Sequence, residues 1–469
     1  MLFSSLIFIW YFLPIVFCVY ACIPNLKARN LLLLAASILF YAWGEPIYVL
    51  LMLVSITLNY TFGLLIDRNA GKDTRRFLVL ACVAVNLLLL GYFKYFNFFA
   101  ELVNSALHRQ AVGFREIVLP VGISFYTFQA LSYVVDVYRG SIRVQKNPLD
   151  LALYISFFPQ LIAGPIVKYH DIQEQLGKRT FSVDRIAYGI KRFSYGLGKK
   201  VILANTFASV ADRVFDLKPE EMGTGLIWFA LLLYTLQIYF DFSGYSDMAI
   251  GLGRMFGFDF MENFNYPYIS SSIKEFWRRW HISLSTWFRE YLYIPLGGNR
   301  KGTLRTYVNL FIVFFATGLW HGAGGNFVLW GMYHGFFIVA ERAFFGKVLE
   351  KNPIKPLNHL YTLLVVIVGW LMFRVEKLGV IRLLLTRMFV PTEGIYRVGM
   401  FADNRIWFWT AAGLLLCGPV QAVWPGLRAW LYDQERVRAV DIVIMAAIVG
   451  FCTLLLVNNT YNPFIYFRF

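Results

Sequence analysis

The stretch "GTGLIWFALLLYTLQIYFDFSGYSDMAIGLG", residues 223–253, sets two demands on the fold that conflict. Its first eighteen residues carry no charge, enough for a helix to approach the roughly 30 Å of a hydrocarbon core. Its second half then places Asp241 and Asp247 on the same apolar run, with Gln237, Ser243 and Ser246 around them. An ionisable group inside a span is disfavoured by about 2.5–3.5 kcal/mol on insertion scales, so it faces a cavity or a partner. The rest of the chain decides that the run is a span. Of 469 residues, 58% are apolar, 18% aromatic and only 15% charged, and mean hydropathy is +0.56. A soluble chain of this size needs a largely polar exterior, which this composition does not supply. Comparable runs recur at 77–93, 360–373 and 440–457. The sequence therefore describes an all-α polytopic membrane protein.

Apolar segments fall at roughly 1–22, 30–44, 47–66, 77–98, 117–137, 148–167, 223–257, 306–340, 356–375, 405–424 and 438–458. The first has neither a basic leader nor a small-residue cleavage site and reads as a retained helix. Between 168 and 222, and between 258 and 305, the chain turns amphipathic and basic, as helices at the interface do. The net charge of +16 sits mainly in loops. That suits cytoplasmic loops and anionic lipid headgroups, and no module of interleaved basic and aromatic residues points to nucleic acid. The five cysteines all lie in apolar runs without metal-ligand spacing, so they read as packing residues and no metal site is expected.

Charge counting constrains the topology. If every early segment crosses, the loops 23–29, 67–76 and 138–147 share one side and carry nine Lys/Arg, while the basic stretch 168–200 falls on the other. Both sides cannot be cytoplasmic. One early segment is expected to be re-entrant, and 151–167 fits, because Pro159, Gly164 and Pro165 interrupt it. Non-helical backbone at membrane depth requires cover by protein or a water-filled cavity.

Two further stretches carry polar residues of chemical interest. In "SIKEFWRRWHISLSTWFREYLYIPLGGNRKG", Lys274, Arg278, His281, Ser285 and Arg289 recur every three or four residues, the spacing of one helix face. Such a face is either an interfacial anchor or a cationic wall for an anionic ligand such as a nucleotide phosphate. In "GLWHGAGGNFVLWG", residues 318–331, His321 lies between Trp320 and three closely spaced glycines. The histidine is either packed in a helix bundle or placed where Gly322, Gly324 and Gly325 unwind the helix beside a substrate. A neutral imidazole there can take the proton of a hydroxyl attacking an acyl carbon. Asp241 and Asp247 read either as a proton relay or as structural pairs, and His334 as structural.

Together with "LLLLAASILFYAWGEPIYVLL", "VLPVGISFYTFQALSYVVDVYRG", "SFFPQLIAGPIVKY" and "FMENFNYPYISSSIKEFWRRWHIS", these motifs resemble the membrane-bound O-acyltransferase family over about residues 30–340. Within it they resemble the bacterial alginate O-acetyltransferase branch. The resemblance implies about 10–12 transmembrane helices with re-entrant and interfacial helices around a central funnel or tunnel. It implies one integral-membrane domain over 1–469, with a core at about 30–340 and scaffold helices over 341–469. It further implies a catalytic His321, with His281 as a second functional position. Lys274, Arg278, Arg279 and Arg289 would bind the donor's phosphates, and Trp320, Gly324, Asn326, Gln129, Asp241 and Asp247 would line the substrate tunnel. The implied donor is acetyl-CoA, used as a substrate, with no permanently bound cofactor. The implied partners are an exported polysaccharide, a periplasmic SGNH-hydrolase-like acetyltransferase and membrane lipids, at the bacterial inner membrane. The "GGNF" that follows the "WHGA" run departs from the alginate pattern, which leaves cellulose, peptidoglycan or another glycan open as acceptor. A polytopic transporter is the competing class, but no inverted repeat is visible. No GxSxG elbow offers a serine nucleophile on this chain.

Overall fold

The structure, a computed structural model, describes residues 1–109, 112–113, 117–430, 437–458 and 461–463. It divides into two compact units, one of residues 1–190 with 248–261, the other of 191–247 with 262–469. Among the described residues seven helices are long and apolar enough to cross a membrane. They are Tyr48–Arg68, Thr74–Ala106, Thr224–Met255, Thr303–His321, Lys355–Arg374, Asn404–Val423 and Ala439–Asn458. Phe8–Cys22, Leu26–Ala42, Ile123–Arg139 and Gly325–Ala340 are shorter helices of apolar character. The protein is a multi-pass, all-helical membrane protein.

In the first unit, α1 (Phe8–Cys22), α2 (Leu26–Ala42), α3 (Tyr48–Arg68), α4 (Thr74–Ala106) and α5 (Ile123–Arg139) are followed by a broken segment. Asn147 caps α6 (Pro148–Ser156), its side chain accepting from Leu149 N at 3.1 Å. The helix stops at Phe157, whose φ of −54° and ψ of 112° leave the α region. The four-residue α7 (Phe158–Leu161) follows, and its first amide donates to Ser37 Oγ at 3.1 Å. Residues 151–169 are all buried, the cover that interrupted backbone requires. The chain then doubles back into α8 (Tyr169–Gly177). Gln145 Nε2 donates to Tyr169 Oη at 3.0 Å, His170 Nδ1 lies 3.0 Å from Asp136 Oδ2, and Asn30 Nδ2 donates to Leu176 O at 3.0 Å. Arg75, at the start of α4, reaches Val137 O near the end of α5. The basic loops and the stretch after 168 thus share one end of this unit. With these basic segments at one end, the charge conflict disappears.

The second unit holds residues 224–247 of α11 (Thr224–Met255), together with the end of α9 (Val183–Gly198) and all of α10 (Asn205–Phe215). The most apolar window of α11 is 83% buried, against 11% for the C-terminal helix Ala439–Asn458, so α11 is core and the C-terminal helix is largely exposed. The two carboxylates of the opening stretch are paired here. Asp247 accepts from Arg192 at 2.7 Å and Lys199 at 2.6 Å, and Asp241 pairs with Lys200 at 2.6 Å. Arg192 also reaches Glu262 at 2.6 Å. Both carboxylates are buried with cationic partners, and a charge so paired need not face a channel.

Beyond α11 come α12 (Ile273–Arg279), α13 (Ile282–Phe288), α14 (Thr303–His321), α15 (Gly325–Ala340), α16 (Gly346–Lys351) and α17 (Lys355–Arg374). Helices α14 and α15 form a hairpin whose backbones touch. A Cβ on Gly331 would lie 2.4 Å from Phe314 O and 3.1 Å from Gly318 Cα; one on Gly318 would lie 2.4 Å from Phe327 O. Small residues permit this approach where apolar lipid provides no hydrophobic drive between helices.

Candidate functional site

His321 is the last residue of α14. The break that follows is extended, with Gly322 at φ −173°, ψ 168° and Gly324 at φ −73°, ψ 149°. These angles are open to any residue, so Gly322 is not there for conformational freedom, as its composition first implied. It is there for space, since its Cβ would come within 2.3 Å of the Phe327 ring. The His321 ring, 8% exposed, is enclosed by three aromatic rings. Its centroid lies 4.9 Å from Trp320, 5.0 Å from Trp330 and 5.0 Å from Phe373, each contact edge-on.

His281 comes from a different local structure. The expected continuous cationic helix is interrupted: α12 ends at Arg279, Trp280 is extended and His281 is left-handed at φ 45°, ψ 56°. That conformation costs a non-glycine residue about 1–2 kcal/mol, and Asn263 holds it. The Asn263 side-chain oxygen accepts from His281 Nδ1 at 3.1 Å, Ser283 N at 3.2 Å and Ser283 Oγ at 2.9 Å. Its nitrogen donates to Ser246 at 3.0 Å, and its carbonyl accepts from Ile282 N. An oxygen already receiving an amide N–H makes Nδ1 the donor, so the His281 proton sits on Nδ1 and Nε2 carries the lone pair. Burial to 1% exposure pushes the imidazole down to about 3, which keeps it neutral.

His281 lies on the wall of a cavity of about 990 Å³. Despite the break, all five residues of the cationic pattern line it: Lys274, Arg278, His281, Ser285 and Arg289. Three cations the sequence did not single out join them, Arg342, Lys347 and Lys355. Two carboxylates are present, Glu341 and Glu350. Glu341 is occupied, accepting from the α12 amides of Ile273 at 2.6 Å and Lys274 at 3.0 Å, so the cavity keeps a positive balance. The cavity follows one face of α14 through Leu310, Val313, Phe314 and Thr317. One turn further along that face is His321. Trp320 joins the two histidines, its ring centroid 6.1 Å from His281 and 4.9 Å from His321.

The other expected residues do not line this cavity. Arg279 bonds Glu275 at 2.8 Å and Asn265 O at 3.1 Å, and does not line the cavity. Asn326, next to Gly324, donates to Met372 O at 3.3 Å and ties α15 to α17. Gln129 belongs to the first unit, fully buried on α5. Asp241 and Asp247 are held in the ion pairs described above. Among the described residues no group of three or more His, Cys, Asp or Glu could hold a metal, and the five cysteines are free thiols. Asn263 was missed altogether. It sits in a loop without periodicity, eighteen residues before its partner.

The sequence pattern of the membrane-bound O-acyltransferase family, MBOAT, matches residues 142–385. The chain is also 49% identical over 386 residues to the probable alginate O-acetylase AlgI of Pseudomonas aeruginosa, covering 81% of this chain and 73% of that one. It belongs to the membrane-bound O-acyltransferase family. This O-acyltransferase is 43% identical to the probable alginate O-acetylase AlgI of Pseudomonas putida, over the whole of both chains. It is 38% identical over 411 residues to the peptidoglycan O-acetyltransferase of Helicobacter pylori, covering 81% of this chain and 78% of that one.

Proposed function

We propose that this membrane acyltransferase moves acetyl groups from acetyl-CoA, on the cytoplasmic side, to hydroxyls of an exported polysaccharide, alginate, at the bacterial inner membrane. A periplasmic SGNH-hydrolase-like acetyltransferase would act with it in placing the acetyl group on the glycan. His321 is the general base that takes the acceptor's proton, a role that typically contributes about 10²–10⁴-fold. His281, neutral with its lone pair on Nε2, accepts a hydrogen bond from the acceptor hydroxyl and orients it. Lys274, Arg278 and Arg289, with Arg342, Lys347 and Lys355, hold the donor's phosphates. The observation that carries this reading is the cationic cavity that has His281 on its wall and follows α14 to Thr317, one helical turn before His321.

The relatives named as alginate O-acetylases support alginate as acceptor, and the relative named as a peptidoglycan O-acetyltransferase supports peptidoglycan as the second candidate. Purified protein in nanodiscs, given radiolabelled acetyl-CoA with alginate or peptidoglycan fragments and with or without the candidate partner, tests both. His321→Ala is expected to lower acetyl-CoA consumption at least about 10²-fold with the fold intact. Consumption by His321→Ala at the wild-type rate would end the proposal, and label appearing in peptidoglycan alone would replace the acceptor.

A further inference from the structure

Beside His321 stand three buried nitrogens with no hydrogen-bond partner among the described residues: Trp330 Nε1, Trp277 Nε1 and His334 Nδ1. Their rings form one contiguous group. Trp277 and Trp330 centroids are 5.5 Å apart, Trp277 and His334 5.0 Å, and Trp330 and His334 5.1 Å. An indole N–H only donates. Burying a donor without an acceptor is disfavoured by about 1–3 kcal/mol, and buried donors are as a rule satisfied. The two indole N–H groups, unpaired donors gathered in one place, mark a spot where the acceptor arrives from outside the chain.

The three differ in what they touch. Trp277 lines the cationic cavity. His334 is closed in by α17, since a Cβ on Gly369 would lie 2.5 Å from its Nε2. Trp330 is the member packed on His321, at 5.0 Å with the planes 86° apart, and it is 1% exposed. Phe373 closes the third side, 5.0 Å from His321 and 5.3 Å from Trp330. Within this aromatic enclosure, the Trp330 ring packed on the proposed base carries an N–H donor that no group among the described residues uses.

Building on the reading of His321 as the base, we propose that the Trp330 indole N–H holds the carbonyl oxygen of the acyl group during transfer. The acceptor oxygen bonds to the acyl carbon while its proton passes to His321, and the carbonyl π pair moves onto the oxygen facing Trp330. Collapse reforms the C=O bond and breaks the C–S bond, and the departing thiolate takes the proton from His321. Thioester and hydroxyl become ester and thiol, with no electron acceptor needed. A neutral donor suits the place: it stabilises a transient oxyanion in a dry site without burying a permanent charge in the membrane.

The test compares Trp330→Phe with Trp330→His. Both shrink the ring to similar size, but only His restores a ring N–H. Trp330→Phe is expected to lower kcat about 10²-fold with donor KM within about threefold of wild type, and Trp330→His to recover at least about tenfold of that loss. A purely structural Trp330, including one whose N–H rests on a neighbouring ring face, would make the two variants equal, and equal kcat values overturn the proposal. So does Trp330→Phe turning over within about threefold of wild type. If neither variant folds, site-specific replacement of Trp330 by 3-benzothienylalanine keeps the volume and removes only the donor; undiminished kcat there rejects the role. The His321→Ala control separates the two claims. Its loss of turnover beside an active Trp330→Phe rejects the oxyanion role alone, whereas its retention of turnover rejects the base on which that role depends.

Discussion

Replacing Asn263 by alanine tests how the second histidine is held. The Asn263 oxygen accepts from His281 Nδ1, Ser283 N and Ser283 Oγ, and its nitrogen donates to Ser246. Serine hydroxyls can turn to a nearby helix carbonyl, so they contribute little to the loss. The imidazole N–H and the Ser283 amide cannot, and each stranded donor is worth about 1–3 kcal/mol. Asn263→Ala should therefore destabilise by about 2–6 kcal/mol and lower the thermal midpoint in detergent by about 5 °C. Without Asn263 the imidazole proton is no longer fixed on Nδ1, and kcat should fall about 10²-fold. Asn263→Asp separates the two effects. A carboxylate facing Nδ1 favours the imidazolium and raises His281 from about 3. Nε2 then carries a proton at low pH, so turnover should fall as pH falls through the raised value and return above it. The assays are a thermal melt and a kcat profile against pH. An Asn263→Ala protein with wild-type melting and turnover, or an Asn263→Asp profile that superimposes on the wild type, refutes the reasoning.

Two neighbouring arginines should behave differently. Arg278→Ala should raise the donor KM about tenfold, the loss of one charge-assisted contact, with kcat nearly unchanged. Arg279→Ala should instead lower the melting temperature and leave KM alone, because it is held by Glu275 and Asn265; the opposite outcome in steady-state kinetics would relocate the donor site. In the first unit, hydrogen bonds to Asp136 and Asp171 raise His170 from 6.5 to about 9. A folded value above the unfolded one stabilises most below pH 6.5, and that contribution is lost as pH rises through about 9. Melting temperature should decline over that window in the wild type and stay flat in His170→Gln.

The spans were legible because hydrocarbon imposes a length and a composition that few other environments demand. The broken segment at 148–168 was legible too, since Pro159, Gly164 and Pro165 interrupt it in the letters themselves. The cationic wall was half legible. Spacing alone named Lys274, Arg278, His281, Ser285 and Arg289 correctly as neighbours, yet it described one helix where there are two. Nothing in a histidine's identity announces a positive φ; the bend exists because a loop asparagine elsewhere in the chain stabilises it. Long-range pairing was invisible for the same reason. The stretch around 191–200 read as amphipathic, whereas Arg192, Lys199 and Lys200 turn inward to meet Asp247 and Asp241. A counter-ion about fifty residues away leaves no local signature.

The contact between Gly318 and Gly331 decides which jaw of this vice can travel. With backbone against backbone and no room for a methyl group, α14 and α15 have no slack to slide, and they carry His321 and Trp330 as a fixed anvil. The opposing jaw is α12 and α13, joined by an extended Trp280 and a left-handed His281 whose angles a few side-chain hydrogen bonds maintain. Under the proposed function, clearance for an arriving thioester would therefore come from the side that carries Lys274, Arg278 and Arg289, while the hairpin that carries the proposed base would stay in register from one turnover to the next.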